Sequence, residues 1–171
     1  MTNASRQLAE QLQQRFGDSL QAIIDAVGEV TIEVGCEHLL EVATALRDEP
    51  RFAFEILIDL CGIDYANYGR DEWATEETSS SGFSRGIEAT TAGRLKAVAE
   101  DLTQEPPREA RRFAAVYHLL SIAKNRRLRV KVFAPDDGLP VVPSVIPVWN
   151  CANWYEREAY DLYGILFDGH P

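Results

Sequence analysis

The alternation of apolar and polar residues predicts four strands in this chain. The run "EVTIEV" (29–34) places valine and isoleucine on one face and glutamate and threonine on the other, which is typical of a half-buried strand. The run 52–65 is apolar on one face and mixes apolar residues with Glu55 and Asp59 on the other, so both faces look partly covered and we expect this strand at the centre of the sheet. The runs 112–122 and 127–135, joined by a short polar turn, predict a β-hairpin.

Apolar residues spaced three or four positions apart predict helices on both sides of these strands. The first pattern covers residues 8–24, is interrupted at 17–18, and ends at Gly28, which is compatible with one helix or two. The second covers residues 39–46 and is closed by Pro50. A further helix is expected near the carboxyl end, where Asn150 is a candidate N-cap and Gly164 marks the end.

Together the elements predict an α+β fold for a single domain spanning residues 1–171. We expect a mixed sheet of about four strands with a central β-hairpin, with the N-terminal helices and the C-terminal helix packed on it. Residues 70–111 contain the breakers "TSSSG" and "EPP" and few large apolar side chains, which predicts a flexible insertion with one short helix. The proline-rich residues 134–150 predict an ordered, extended connection on the surface.

Charge and cysteine usage exclude several classes of protein. The net charge of −10 argues against a nucleic-acid-binding protein and against direct binding to anionic lipid. No apolar run approaches the roughly 20 residues of a membrane-spanning helix, and the polar N-terminus lacks a signal-peptide core, so a cytoplasmic protein is expected. Cys36, Cys61 and Cys151 are too few and too scattered to complete an iron–sulfur cluster, and we expect them to be reduced and mostly buried.

Residues 153–171 combine five aromatic rings with four side-chain carboxylates, which raises three possibilities. A catalytic site is disfavoured because the acids lie on one helix and no Ser or Cys nucleophile accompanies a His base. A metal site is disfavoured because Glu158, Asp161, Asp168 and His170 lack the spacing that places two ligands on one helix face. We therefore predict no catalytic, cofactor-binding or metal-binding residues in this chain.

The third possibility, an interface with another subunit, fits the mixture of rings and an arginine best. The alternative is packing on the protein's own sheet, which we expect for Tyr155 and Leu162. The strand pattern at 127–131 places three basic side chains on one face, which is compatible with a solvated surface or with a docking strip for an acidic partner. The predicted interface residues are Trp154, Glu156, Arg157, Asp161, Tyr163 and His170, with Arg157 and Asp161 spaced for an ion pair.

The stretch "YEREAYDLYGILFDGHP" (155–171) resembles the signature of the 30 kDa subunit family of respiratory complex I, the C subunit of NADH–quinone oxidoreductase. The residues that match the signature are Glu156, Arg157, Glu158, Asp161, Leu162, Tyr163, Gly164, Ile165, Phe167, Gly169, His170 and Pro171. The stretches "LIDLCGIDY" and "FAAVYHLLSIAKNRRLRVKV" also resemble the central strand and hairpin of that family.

This resemblance implies a non-catalytic structural subunit in the peripheral arm, which supports electron transfer from NADH to quinone coupled to proton translocation. It implies two kinds of partner, the quinone-site subunit (the D subunit of complex I) and the iron–sulfur subunits. NADH, FMN, iron–sulfur clusters and quinone are expected in those partners. The implied location is peripheral, on the cytoplasmic side of a bacterial inner membrane.

Two features depart from the family pattern. Residues 70–111 are long for the family, and the pattern normally continues beyond Pro171, which suggests a trimmed or divergent chain. Related subunits also occur in membrane-bound hydrogenases and in other quinone reductases, and the signature does not choose among these complexes. A standalone carboxylate or metal enzyme is the remaining alternative.

Overall fold

The computed structural model describes residues 3–66 and 111–171, and the fold below is that of residues 3–64 and 111–171. Two single-turn 3-10 helices occupy Gly17–Ser19 and Cys36–His38. The helices are α1 (Asn3–Phe16), α2 (Leu39–Asp48) and α3 (Ala152–Tyr163), and the strands are β1 (Leu20–Ala26), β2 (Glu29–Val34), β3 (Ile56–Asp64), β4 (Phe113–Ser121), β5 (Arg126–Phe133), β6 (Val141–Pro143) and β7 (Leu166–Asp168).

Five strands form one mixed sheet in the order β1-β2-β5-β4-β3. Strands β2 and β5 pair in parallel, and the other neighbours pair antiparallel. The short strands β6 and β7 form a separate parallel pair. This confirms the predicted α+β class with a central hairpin (β4 and β5) and packed helices, and it adds one strand to the expected four.

The core lies on one face of the sheet, where the apolar sides of α1 and α2 cover it. Strand β5 shows the predicted alternation, because Leu128, Val130 and Val132 are buried between three more exposed basic residues. The central strand β4 differs, because residues 113–117 are buried without interruption and both of its faces are therefore covered there.

The predicted helical continuation over residues 20–24 is wrong, because these residues belong to β1. Val27 and Gly28 both have positive φ, of 55° and 82°, and so form the tight two-residue turn that pairs β1 with β2. The spacing of Leu20, Ile23 and Ile24 resembled a helix, but backbone pairing with β2 outweighed this weak local preference.

Strand β3 begins later than predicted and lies at the edge of the sheet instead of its centre. Ala53 has a left-handed φ of 50°, which is incompatible with a strand running through residues 52–55. Phe52 and Phe54 are nevertheless fully buried in the core. Helix α3 packs against β3, so this edge strand is covered by a helix and is not flanked by strands on both sides.

The basic face of β5 is largely neutralised within the sheet. Arg129 pairs with Glu29 at 2.8 Å, and Lys131 pairs with Glu33 at 3.4 Å, both glutamates being on the neighbouring strand β2. Arg127 is exposed. These pairs fit the solvated-surface interpretation for two of the three basic residues, while the docking strip for an acidic partner stays a prediction.

The proline-rich segment is not merely a surface connection, because it contributes Val142, Val145 and Trp149 to the core. The indole N–H of Trp149 donates to the carbonyl oxygen of Phe54 at 3.3 Å. The predicted insertion over 70–111 lies outside the described residues, apart from Arg111. Within the described ranges, none of the helices has the length and apolar character needed to cross a bilayer.

Candidate functional site

Helix α3 lies along the edge strand β3 and is the element on which most of the predicted site residues are placed. Its buried stripe consists of Ala152, Glu156 and Ala159, which follow the spacing of one helix face. Gly164 ends the helix in the left-handed conformation with φ of 71°, as predicted. Cys151, and not Asn150, occupies the N-cap, and it makes no side-chain capping bond.

Close contacts bring α3 against the outer edge of β3. The Tyr155 hydroxyl donates to the carbonyl oxygen of Ile58 at 3.0 Å. Gly62 allows the ring of Tyr163 to approach, because a Cβ atom at residue 62 would lie 2.6 Å from the Cδ2 atom of that ring. A glycine inside a strand often marks such a close approach, and this was the available sequence signal that we missed.

Glu156 is the centre of a buried polar cluster and is only 1% exposed. Its Oε2 atom accepts a hydrogen bond from the Ser144 hydroxyl at 2.8 Å, and its Oε1 atom accepts one from the N–H of Val145 at 2.8 Å. The Nδ1 atom of His170 lies 2.8 Å from Oε2. A buried carboxylate is tolerated only when such donors surround it, so these contacts hold three separate segments together.

The cluster continues from His170 to the protein surface. The Nε–H of Arg157 donates to Nε2 of His170 at 3.4 Å. Because a guanidinium nitrogen only donates, Nε2 must accept, and the imidazole proton is assigned to Nδ1, from which it is donated to Glu156. The Cζ atom of Arg157 lies 5.4 Å from the centroid of the Trp154 ring, within the range of a cation–π contact.

Backbone bonds around this cluster join the proline-rich segment to the residues that follow α3. The N–H of Ser144 donates to the carbonyl oxygen of Asp168 at 2.8 Å, and the N–H of Leu166 donates to that of Pro140 at 2.8 Å. Ile165 is fully buried between them. The donors to Glu156 are thus supplied by residues 11, 12 and 14 positions away, and helix periodicity alone gave no signal for them.

The buried carboxylate also affects its surroundings electrostatically. Burial raises the pKa of Tyr117 well above its ordinary value, and the nearby Glu156 and Cys36 add to the shift. Burial likewise raises the pKa of the Cys36 and Cys61 thiols, with Glu37 and Asp59 contributing respectively. All three cysteines are free; Cys36 and Cys61 are half-buried, whereas Cys151 is exposed, contrary to the expectation that most are buried.

The six predicted interface residues divide into an outer and an inner group. Trp154, Arg157 and Asp161 lie on the solvent-exposed side of α3, and Trp154 is 74% exposed. Tyr163 is partly exposed while packing over Gly62. Glu156 and His170 point inward, so the possibility that Glu156 lies on the surface is wrong. Contact of the outer group with a partner stays a prediction.

Two further expectations on α3 are not met. Leu162 is 67% exposed and does not pack on the sheet. Arg157 turns toward His170 and Trp154 and forms no ion pair with Asp161.

The described ranges contain no cluster of three His, Cys, Asp or Glu residues arranged to hold a metal. A cleft of about 240 Å³ lies elsewhere, among strands β2 to β5, and its lining includes Asp59 and His118.

The fold and the C-terminal motif agree with a comparison against known families. The profile of the family described as "Respiratory-chain NADH dehydrogenase, 30 Kd subunit" matches residues 32–171. This chain belongs to that family. The resemblance inferred from the "YEREAYDLYGILFDGHP" stretch is therefore confirmed for most of the chain.

Relatives in the 30 kDa subunit family extend the similarity to the N-terminal region. The chain is 49% identical over 166 residues to the C subunit of NADH-quinone oxidoreductase from Coxiella burnetii. It is 52% identical over 165 residues to the protein of that name from Halorhodospira halophila. Each comparison covers 96% of this chain and 67% of the relative.

Two solved structures share the fold of this family member. A trypsin-resistant fragment of Nqo5 superposes with a TM-score of 0.63 at 27% identity, covering 96% of this chain and 97% of the fragment. A chain of the membrane-bound sulfane sulfur reductase, an archaeal respiratory membrane complex, superposes with a TM-score of 0.63 at 14% identity, covering 99% of this chain and 73% of that one. At that identity the second likeness concerns the fold alone.

Proposed function

We propose that this chain is a non-catalytic structural subunit in the peripheral arm of an NADH–quinone oxidoreductase. In this role it holds neighbouring subunits in position while electrons pass from NADH to quinone, coupled to proton translocation. The partners are the D subunit and the iron–sulfur subunits, and NADH, FMN, the clusters and quinone bind in those partners. The location is peripheral, on the cytoplasmic side of a bacterial inner membrane. Identity near 50% to C subunits from several bacteria supports this assignment.

The observation that carries the proposal is the two-sided construction of α3. On the inner side, every oxygen of the Glu156 carboxylate is used to tie this chain to itself, which suits a scaffold better than a reacting group. On the outer side, Trp154 and Leu162 are largely exposed. Large apolar side chains grouped on a surface usually mark a contact with another molecule. Aromatic residues and arginine are the side chains that most often dominate binding energy at such contacts.

The equivalent subunit of another membrane-bound respiratory complex is the second candidate. The shared fold with a chain of the sulfane sulfur reductase complex favours it, because the same fold occurs in another respiratory membrane complex. The higher identity to the C subunits of NADH-quinone oxidoreductase, 52% against 14%, makes that complex the preferred assignment.

Replacing the exposed indole tests the proposal. Tagged wild-type chain, expressed in a host whose own copy is deleted, should co-purify with the D subunit and restore NADH–quinone activity. We expect Trp154→Ala to reduce co-purification at least roughly 10-fold, since a buried aromatic hot spot contributes about 2 kcal/mol or more. The melting temperature of the isolated chain should be unchanged, because this side chain is exposed.

Leu139→Ala is the matched control, since Leu139 is also an exposed large apolar residue but lies outside α3. That variant should assemble normally. Unchanged assembly of the Trp154→Ala variant would show that the outer side of α3 is not the contact, and failure of the wild-type chain to co-purify would contradict membership in the complex.

A further inference from the structure

The terminal Nη groups of Arg157 take no part in the contacts by which the described residues stabilise α3. Its Nε is bonded to His170, and its Cζ lies over the Trp154 ring. The terminal Nη groups donate to none of the residues that the structure describes, and Asp161, one turn away, is not paired with them. A guanidinium held by one edge presents the other edge as a two-pronged donor.

The position of this guanidinium is set from inside the protein. Glu156 is immobilised by Ser144 and Val145, it accepts from His170, and His170 in turn accepts from Arg157. An exposed arginine normally loses conformational freedom when it binds, and this loss weakens surface ion pairs. Arg157 is already restricted, so an incoming acceptor meets a donor whose orientation is largely preset.

We propose that Arg157 is the docking point for a side-chain carboxylate of a neighbouring protein subunit, with Trp154 as the apolar platform beside it. This inference rests on the proposed function, since it names the chemistry of the partner at the outer side of α3. A carboxylate matches the planar fork in a bidentate geometry, whereas the indole requires an apolar surface next to it.

Charge supports a single, specific acid on the partner. Arg157 is the one basic residue of α3, and Glu158 and Asp161 flank it on a chain of net charge −10. An acidic group approaching elsewhere on this helix is repelled, so the contact fixes the register of the partner along α3. The same net charge disfavours the other source of an anion, a phosphate group on an anionic membrane surface.

Zero-length cross-linking tests the inference in the assembled complex. Carbodiimide joins a lysine amine to a carboxylate but does not react with arginine, so Arg157→Lys introduces a reactive amine in place of the guanidinium. We expect a cross-linked peptide between residue 157 and an aspartate or glutamate of another subunit, at least roughly 10-fold above the wild-type background. Arg51→Lys is the matched control, and it should link to Glu49 within this chain, because these residues pair at 2.7 Å.

Two results would overturn the inference, and a third would overturn the proposed function on which it rests. An intact complex in which residue 157 links to nothing, or only to Asp161 or Glu158 of its own helix, would show that no partner carboxylate lies there. Binding of the isolated chain to phosphatidylglycerol vesicles that is lost in Arg157→Gln would assign the anion to lipid. If the wild-type chain does not assemble at all, the proposed function fails, and this outcome is separate from a missing cross-link in an intact complex.

Discussion

At the scale of single residues, the buried carboxylate of Glu156 decides the structure around α3. It lies on a helix whose other acids face water, yet its oxygens accept three hydrogen bonds within the chain. Buried charge is costly to create and more costly to leave half-satisfied. The residue is therefore decisive for the local structure while remaining inaccessible to any partner.

Glu156→Gln is expected to lower the free energy of unfolding by about 1–3 kcal/mol, because the amide N–H₂ then faces either the N–H of Val145 or the Nδ1–H of His170, and a buried donor is left without an acceptor. Urea unfolding monitored by circular dichroism measures this change. Glu158→Gln, at an exposed position on the same helix, should stay within about 0.5 kcal/mol of wild type. Equal effects of the two substitutions would contradict the importance of burial.

The burial of Glu156 and the identity of its hydrogen-bond donors could not be predicted from the sequence. In an α-helix, residues two positions apart, such as Glu156 and Glu158, lie on different sides of the axis, but this periodicity does not say which side is buried. The donors Ser144, Val145 and His170 come from segments brought together only by the β6–β7 pair, so no local pattern reveals them.

At the scale of elements, the packing of α3 on β3 depends on one missing side chain. Tyr163 occupies the space above Gly62, and Ile165 lies close to the same point, with its Cδ1 atom 3.1 Å from where a Cβ atom would stand. Core and edge contacts of this kind tolerate little added volume, because interiors are close-packed.

Gly62→Ala is expected to destabilise the chain by about 1–3 kcal/mol through overpacking against the Tyr163 ring. The same substitution made in a Tyr163→Ala background should have a much smaller effect, since the obstructing ring is gone. A double-mutant cycle from chemical denaturation separates these contributions. An equal loss of unfolding free energy on Gly62→Ala in both backgrounds would show that the Tyr163 ring is not the cause.

Elements with strong periodicity were predicted correctly, and elements defined by their neighbours were not. Strand β2, helix α2, the β4–β5 hairpin and the end of α3 at Gly164 follow from alternation, spacing and terminators. Strand β1 was mistaken for a helix because only pairing with β2 makes it extended. The edge position of β3 follows from topology, and an apolar run covered by a helix has the same sequence pattern as a central strand.

At the scale of the whole molecule, ion pairs join parts of the chain that are distant in sequence. Glu49, just after α2, accepts from Arg15 of α1 at 2.8 Å and from Arg51 at 2.7 Å. Partial burial raises the pKa of Glu49, but the hydrogen bonds from Arg51 and Arg15 outweigh it, so the pKa lies below its usual value. The contribution to stability is therefore present above the ordinary glutamate pKa and is lost as the pH falls through the lowered one.

We expect Glu49→Gln to reduce the free energy of unfolding by about 0.5–1 kcal/mol at neutral pH, the range of partly exposed pairs. The difference from wild type should shrink toward zero when unfolding is measured at about pH 3, because wild-type Glu49 is then increasingly protonated. Glu10→Gln, an exposed substitution on α1, serves as the control. A difference that is independent of pH would contradict the electrostatic origin.

The edge position of β3 has a consequence for the solubility of this protein. Along the side of β3 that pairs with none of the described strands, the carbonyl oxygens of Leu57 and Ile58 accept side-chain hydrogen bonds from α3 and its N-cap. The donors are the Cys151 thiol and the Tyr155 hydroxyl. A bare strand of nine residues is a template for intermolecular pairing. Any condition that detaches the helix, such as separation from the rest of the complex under heat stress, should therefore start fibril growth at this margin of the sheet.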